Sequence, residues 1–221
     1  MKTANRFLPF LVLGAAVMFA RAPFMIQDAP IESTMGLIQK IFYFHVPAAS
    51  ATFLAAAVCG IASALFLWRR SPAADHVAVS AAELAVVFGI IVLATGPLWA
   101  RKAWGVWWQW DVRLTMTLVM WMVFVAYLLL RRFGGPGSEV LAAAVGLFGM
   151  ALVPFIYISV NYWRTIHPTT NVVPSLPPEM AAPFWWSMLA FVLLFAAILI
   201  VRVRLESSRA ALENAYAALE D

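Results

Sequence analysis

Polar and charged residues along this chain fall in clusters, and between the clusters lie six long apolar runs, at approximately 7–26, 46–68, 77–98, 114–130, 139–159 and 184–203. Crossing about 30 Å of hydrocarbon takes roughly 20 apolar residues of helix, so each run is a candidate membrane span. An isolated strand in lipid would leave its backbone N–H and C=O groups unbonded, so each span is predicted to be helical. The pattern predicts an all-α integral membrane protein with a six-span domain over 1–203. In the remaining tail, 204–221, Leu205, Leu212, Tyr216 and Leu219 stand among alanines and charges, the composition of a short amphipathic helix at a surface.

The connections are unequal. Two are short, at about 69–76 and 131–138, and the second carries the helix breakers Gly134, Gly135, Pro136 and Gly137. On the other side the connections are longer and rich in aromatics. Residues 27–45 include an amphipathic piece, Glu32 to Phe44, whose Met35, Ile38 and Phe42 are predicted to lie along the membrane surface. Residues 160–183 contain Pro168, Pro174, Pro177 and Pro178, which predict an irregular, stiff loop. Pro154, inside a span, reads as a packed kink.

Composition supports the membrane assignment, because a 221-residue chain that is 64% hydrophobic and 12% charged cannot hide its apolar surface in a soluble core. The first run is expected to remain as a helix, since no small-residue cleavage site ends it and Arg21, Pro23 and Asp28 follow. The net charge of +4 does not point to nucleic acid, because the basic residues sit at span ends and form no stripe. They report orientation instead. Lys2, Arg6, Arg69, Arg70, Arg131, Arg132, Arg202, Arg204 and Arg209 fall on the side of the termini, against Arg21, Lys40, Arg101, Lys102, Arg113 and Arg164 opposite. This excess predicts cytoplasmic termini and an outward-facing Trp segment over 99–113. The single cysteine, Cys59, excludes an internal disulfide, and without a Cys-x-x-Cys-His run the chain carries no c-type haem of its own. A G-x-x-x-x-G-K-[ST] loop is also missing, so any ATP-driven step belongs to another subunit.

Candidate chemistry concentrates on the outward side. Residues 104–113 read Trp-Gly-Val-Trp-Trp-Gln-Trp-Asp-Val-Arg. Wound as a helix, Trp104, Trp107, Trp108 and Asp111 would share one face, a shelf for a large flat ligand, with Trp110 and Arg113 off it. Tryptophan is equally at home in an ordinary interfacial belt. His45, beside Pro47 at the start of the second span, and His167, just before Pro168, are predicted on the same side as this segment. Neutral imidazole is a good iron ligand, and two of them would complete the axial positions of a haem. Zinc fits less well, because two histidines fall short of its usual four-coordinate set. Arg101, Lys102, Arg113 and Arg164 are candidates to pair with haem propionates. Asp111 is expected to orient an indole N–H or pair with Arg113. His76 reads as a solvated loop residue, and Glu83, near the terminal-side end of the third span, as a snorkelling or hydrogen-bonded structural carboxylate. Rival readings are a b-type haem electron-transfer subunit, which would need more histidines within helices than this chain's three, and a non-haem permease subunit with an aromatic belt.

Residues 104–115, Trp-Gly-Val-Trp-Trp-Gln-Trp-Asp-Val-Arg-Leu-Thr, resemble the tryptophan-rich WWD signature of haem-handling proteins in cytochrome c biogenesis. The size, the six spans and one histidine on each side of the motif resemble the CcmC family of haem exporter proteins, along essentially the whole chain. The resemblance implies a multi-pass protein of the bacterial inner membrane that binds haem b at the periplasmic surface. His45 and His167 would be the axial ligands, and Trp104, Trp107, Trp108, Trp110, Asp111 and Arg113 the haem-binding surface. It implies delivery to the haem chaperone CcmE, in a complex with CcmD and the ATP-binding-cassette subunits CcmA and CcmB. The chain would then be a transfer factor and not an enzyme.

Overall fold

The computed structural model describes the backbone of residues 2–220 and the side chains of 6–219, so Met1, Asp221 and the Lys2 charge counted above lie outside the described residues. Six helices follow in order: α1 Lys2–Asp28, α2 Phe42–Arg69, α3 Pro72–Trp104, α4 Val112–Phe133, α5 Ser138–Ser159 and α6 Pro178–Glu220, with a 3-10 turn Leu37–Ile41 leading into α2. Each contains one of the six predicted runs and is long and apolar enough to cross a membrane. No strand occurs among the described residues.

Helices α2 to α5 form a ring, each packing on the next and α5 returning to α2. Helix α6 lies against α2 and α3, and α1 against α6, where the Trp186 indole N–H donates to the Met18 carbonyl at 2.9 Å. Lipid gives no hydrophobic drive for helices to associate, so close van der Waals approach has to do it, which favours small residues. The ring's core accordingly stacks Ala48, Ala51, Ala55, Ala56 and Ala62 of α2 against Ala78, Ala81, Ala82 and Ala85 of α3 and Ala142 of α5. Gly146 of α5 is part of the same fit: a Cβ there would stand 2.7 Å from Ser63 Oγ and 3.1 Å from Cys59 Sγ.

Four expectations change. The 69–76 loop shrinks to Arg70 and Ser71, because Arg70 takes a left-handed conformation (φ 53°) and Pro72, with its preset φ, starts α3 at once. His76 is therefore helical and not a solvated loop residue, its Nδ1 3.0 Å from Ser207 Oγ of α6. Met35, Ile38 and Phe42, expected along a membrane surface, turn their side chains inward onto Ala22, Ile26, Trp99 and Phe184. Lys40 fastens this segment, its Nζ donating to the Ile26 and Gln27 carbonyls at the end of α1, both at 2.7 Å. The proline-rich loop is shorter than expected, since Pro177 and Pro178 open α6, which then runs unbroken through the tail with Leu205, Leu212, Tyr216 and Leu219 exposed.

Glu83 is paired: Arg202 of α6 grips it with two hydrogen bonds, one of 2.6 Å from Nη2 to Oε1. Asp75 and Arg131 join α3 to α4 at 2.6 Å on the same end of the bundle.

Replacing Gly146 by valine should overpack the α2–α5 contact and cost about 1–3 kcal/mol. Thermal unfolding in detergent should show a lowered Tm, and a Tm equal to the wild type would refute the close fit.

Candidate functional site

The site lies at the end of the bundle opposite the termini, where α1, α3 and α5 finish and α2, α4 and α6 begin. The predicted helical shelf does not form. Helix α3 stops at Trp104 because Gly105 turns left-handed (φ 79°), a conformation open to glycine and costly for a residue with a Cβ. Residues 105–110 are irregular, and α4 starts at Val112. The tryptophans thereby separate into two pairs. Trp104 and Trp108 are half-buried, while Trp107 (58% exposed) and Trp110 (75%) stand out from the bundle. Trp104 stacks on Trp99 of α3 with centroids 6.1 Å apart, and Trp99 meets the His45 ring edge-on at 5.7 Å.

Asp111 explains why α4 begins where it does. Its extended backbone and carboxylate make it the N-cap, Oδ1 accepting from the Leu114 N–H at 2.8 Å. Oδ2 accepts from the Thr165 hydroxyl and the Ile166 N–H. The expected pairing of Asp111 with an indole or with Arg113 is replaced by these bonds. The first turn of α4 offers unbonded N–H groups that a carboxylate satisfies better. Arg113 turns instead to the end of α5, where its Nη1 donates to the Ile156 and Tyr157 carbonyls at 3.2 and 3.1 Å.

The two histidines are fixed in the same tautomer by different partners. His45, only 7% exposed in the first turn of α2, has Nδ1 2.8 Å from Thr95 Oγ1 of α3. Thr95 gives its own hydrogen to the Ile91 carbonyl, so it accepts from His45, which makes His45 Nδ1 the protonated nitrogen. In His167, Nδ1 lies 2.8 Å from the Pro168 carbonyl, which can only accept. Both rings therefore hold their proton on Nδ1, and both Nε2 lone pairs stay free. A Cβ on Gly96 would come within 3.3 Å of His45 Cε1, so this glycine gives the ring its room. Burial, and next the positive charge of Arg113, lower the pKa of His167 from 6.5 to about 4, while the Pro168 carbonyl and Asp111 act the other way.

One cavity joins these parts. His45, His167, Trp99, Trp104, Trp108 and Arg113 line it, and it continues between α2, α3 and α4 past Gly96 to Phe53 and Trp121. The space between its walls, open solvent at the mouth included, comes to about 850 Å³. Two of its lining residues, Trp99 and Trp108, have indole N–H groups that are buried without a partner. Of the cations expected to serve propionates, Arg113 alone borders the cavity; Arg101, Lys102 and Arg164 are exposed around it. Arg101 donates to the Gly105 carbonyl and stands 6.0 Å over the Trp107 ring. Trp99 and Thr95 went unnoticed in the sequence, although they stand four residues apart on one helical face directly before the Trp motif.

A family model described as heme exporter protein C (CcmC) matches residues 1–217. The chain belongs to the heme exporter protein C family. Heme exporter protein C of Bradyrhizobium diazoefficiens is 33% identical over 210 residues, 92% of this chain and 80% of the relative. That of Escherichia coli K12 is 32% identical over 206 residues, covering 90% and 82%, and that of Paracoccus denitrificans 31% over 216 residues, covering 95% and 90%. Family membership supports a role in haem handling for cytochrome c maturation, in a multi-pass membrane protein.

In the haem-free protein His167 should stay neutral where an ordinary imidazole charges. Between pH 6.5 and about 4 the unfolded chain gains a proton that the folded chain refuses, so stability should decline as pH falls through that window. Nitrogen-15 NMR of labelled histidine should find His167 neutral at pH 5.5; a midpoint near 6.5 would contradict this environment.

Proposed function

We propose that this chain binds haem b as cargo in the cavity, with His45 and His167 as axial ligands, and hands it to the haem chaperone CcmE for c-type cytochrome biogenesis. The observation that carries the reading is the pair of imidazoles on separate segments, bordering one aromatic cavity with both Nε2 atoms free. The hydrogen bond on the far nitrogen of each ring fixes its orientation and raises its basicity as a ligand. Haem supplies a flat apolar macrocycle, an iron with two axial positions and two carboxylates. Trp104 and Trp108 offer faces to the macrocycle, and the unpaired indole N–H groups of Trp99 and Trp108 offer donors. Arg113 is placed to meet a carboxylate from inside the cavity, with Arg101, Lys102 and Arg164 around it.

The charge excess on the terminal side supports a periplasmic site in the bacterial inner membrane. Exposed Trp107 and Trp110 then face either the lipid interface or the chaperone. The chain acts as a delivery factor and not as an enzyme, with CcmD and the ATP-binding-cassette subunits CcmA and CcmB as its partners.

Purified protein should carry haem with a six-coordinate, low-spin spectrum, and His45→Ala and His167→Ala should each convert it to a five-coordinate species or strip it. Wild-type spectra and haem content in both variants would overturn the ligand assignment. Cells lacking the chain should lose c-type cytochromes and keep b-type ones; intact c-type maturation would overturn the delivery role. A Trp107→Ala/Trp108→Ala strain should also be deficient in c-type cytochromes, and normal levels would reduce the segment to a membrane belt.

A further inference from the structure

His167 stands outside the helices, in the segment between α5 and α6, so no helical ladder holds its backbone. It is held by a relay of hydrogen bonds that starts in the Trp segment. Asp111 Oδ2 accepts the Thr165 hydroxyl and, at 3.3 Å, the Ile166 N–H. Thr165 Oγ1 in turn accepts the His167 backbone N–H at 3.0 Å. The hydroxyl has one hydrogen and two lone pairs, so giving the hydrogen to the carboxylate leaves it free to receive the His167 N–H. Asp111 is 8% exposed, so water competes little for these bonds. Its other oxygen is committed to the Leu114 N–H, which ties the relay to the first turn of α4.

We infer that Asp111 is a positioning residue for His167, acting through the Thr165 hydroxyl and without touching haem. This rests on the reading of His167 as an axial ligand. The carboxylate is suited to the task because it can receive hydrogen bonds from the start of α4 and from the 165–166 segment at once. An amide could keep the α4 cap with its oxygen, but its NH2 group would face the Thr165 and Ile166 donors. Valine at 165 matches threonine in shape and can neither donate to Asp111 nor accept from His167. Serine can do both.

The test uses the full chain in detergent, titrated with ferric haem b and read by optical spectroscopy, for the wild type, His167→Ala, Thr165→Val, Thr165→Ser and Asp111→Asn. Thr165→Val and Asp111→Asn should bind haem about 10-fold more weakly, the lower range for loss of a bond that orients a metal ligand. They should also shift part of the haem from low to high spin. Thr165→Ser should match the wild type. Added imidazole should return Thr165→Val to low spin, as it should His167→Ala, because the missing element is a placed ligand and not the cavity. The inference is overturned if Thr165→Val keeps wild-type affinity and spectrum while His167→Ala loses them. It is also overturned if imidazole restores His167→Ala but not Thr165→Val, or if Thr165→Ser is as impaired as valine. A wild-type spectrum in His167→Ala would instead remove the ligand assignment beneath it.

Discussion

Within hydrocarbon no backbone polar group can go unbonded, so helical backbone must run through the membrane and irregular backbone is confined to where the helices stop. The whole candidate site is built at one such set of helix ends. Each end leaves N–H or C=O groups without a helical partner, and here long or charged side chains from a neighbouring segment answer them. Lys40 takes the last carbonyls of α1, Arg113 those of α5, and Asp111 the Leu114 N–H in the first turn of α4. Positive groups sit at helix C-termini and a negative group at an N-terminus, so each contact also runs with the helix dipole. The bonds that satisfy the backbone therefore also assemble the site.

The cavity exists because the packing of the ring is uneven. Alanines and glycines bring α2 close to α3 and α5 along much of their length. Between α2, α3 and α4, on the side of the Trp segment, larger side chains such as Phe53, Trp99 and Trp121 stand around open space. Trp121 is itself held by a 3.1 Å bond from its indole N–H to the Val86 carbonyl. The charges at the far end, Glu83 with Arg202 and Asp75 with Arg131, fasten α3 to α6 and α4 where no cavity is needed.

The spans were legible because length and hydropathy alone decide what crosses a bilayer, and the Trp motif was legible because so many indoles in so few residues are rare. The shape of that motif was misread: the helical face drawn through Trp104, Trp107 and Trp108 ignored Gly105, whose left-handed turn ends α3. Likewise Ser71-Pro72 carried the signal for a new helix, yet the loop was drawn too long. Thr95 and Thr165 could not have been singled out. Threonines are common, and these two matter only because folding brings Thr95 to His45, 50 positions away, and Thr165 to Asp111, 54 positions away.

The two histidines differ in what it takes to move them. His45 belongs to a 28-residue helix buried on its neighbours, and shifting it means sliding a register through the packed ring. His167 hangs from hydrogen bonds outside any helix, so shifting it moves no helical register. The two candidate ligands are thus anchored by different means, one by helix packing and the other by a hydrogen-bonded loop.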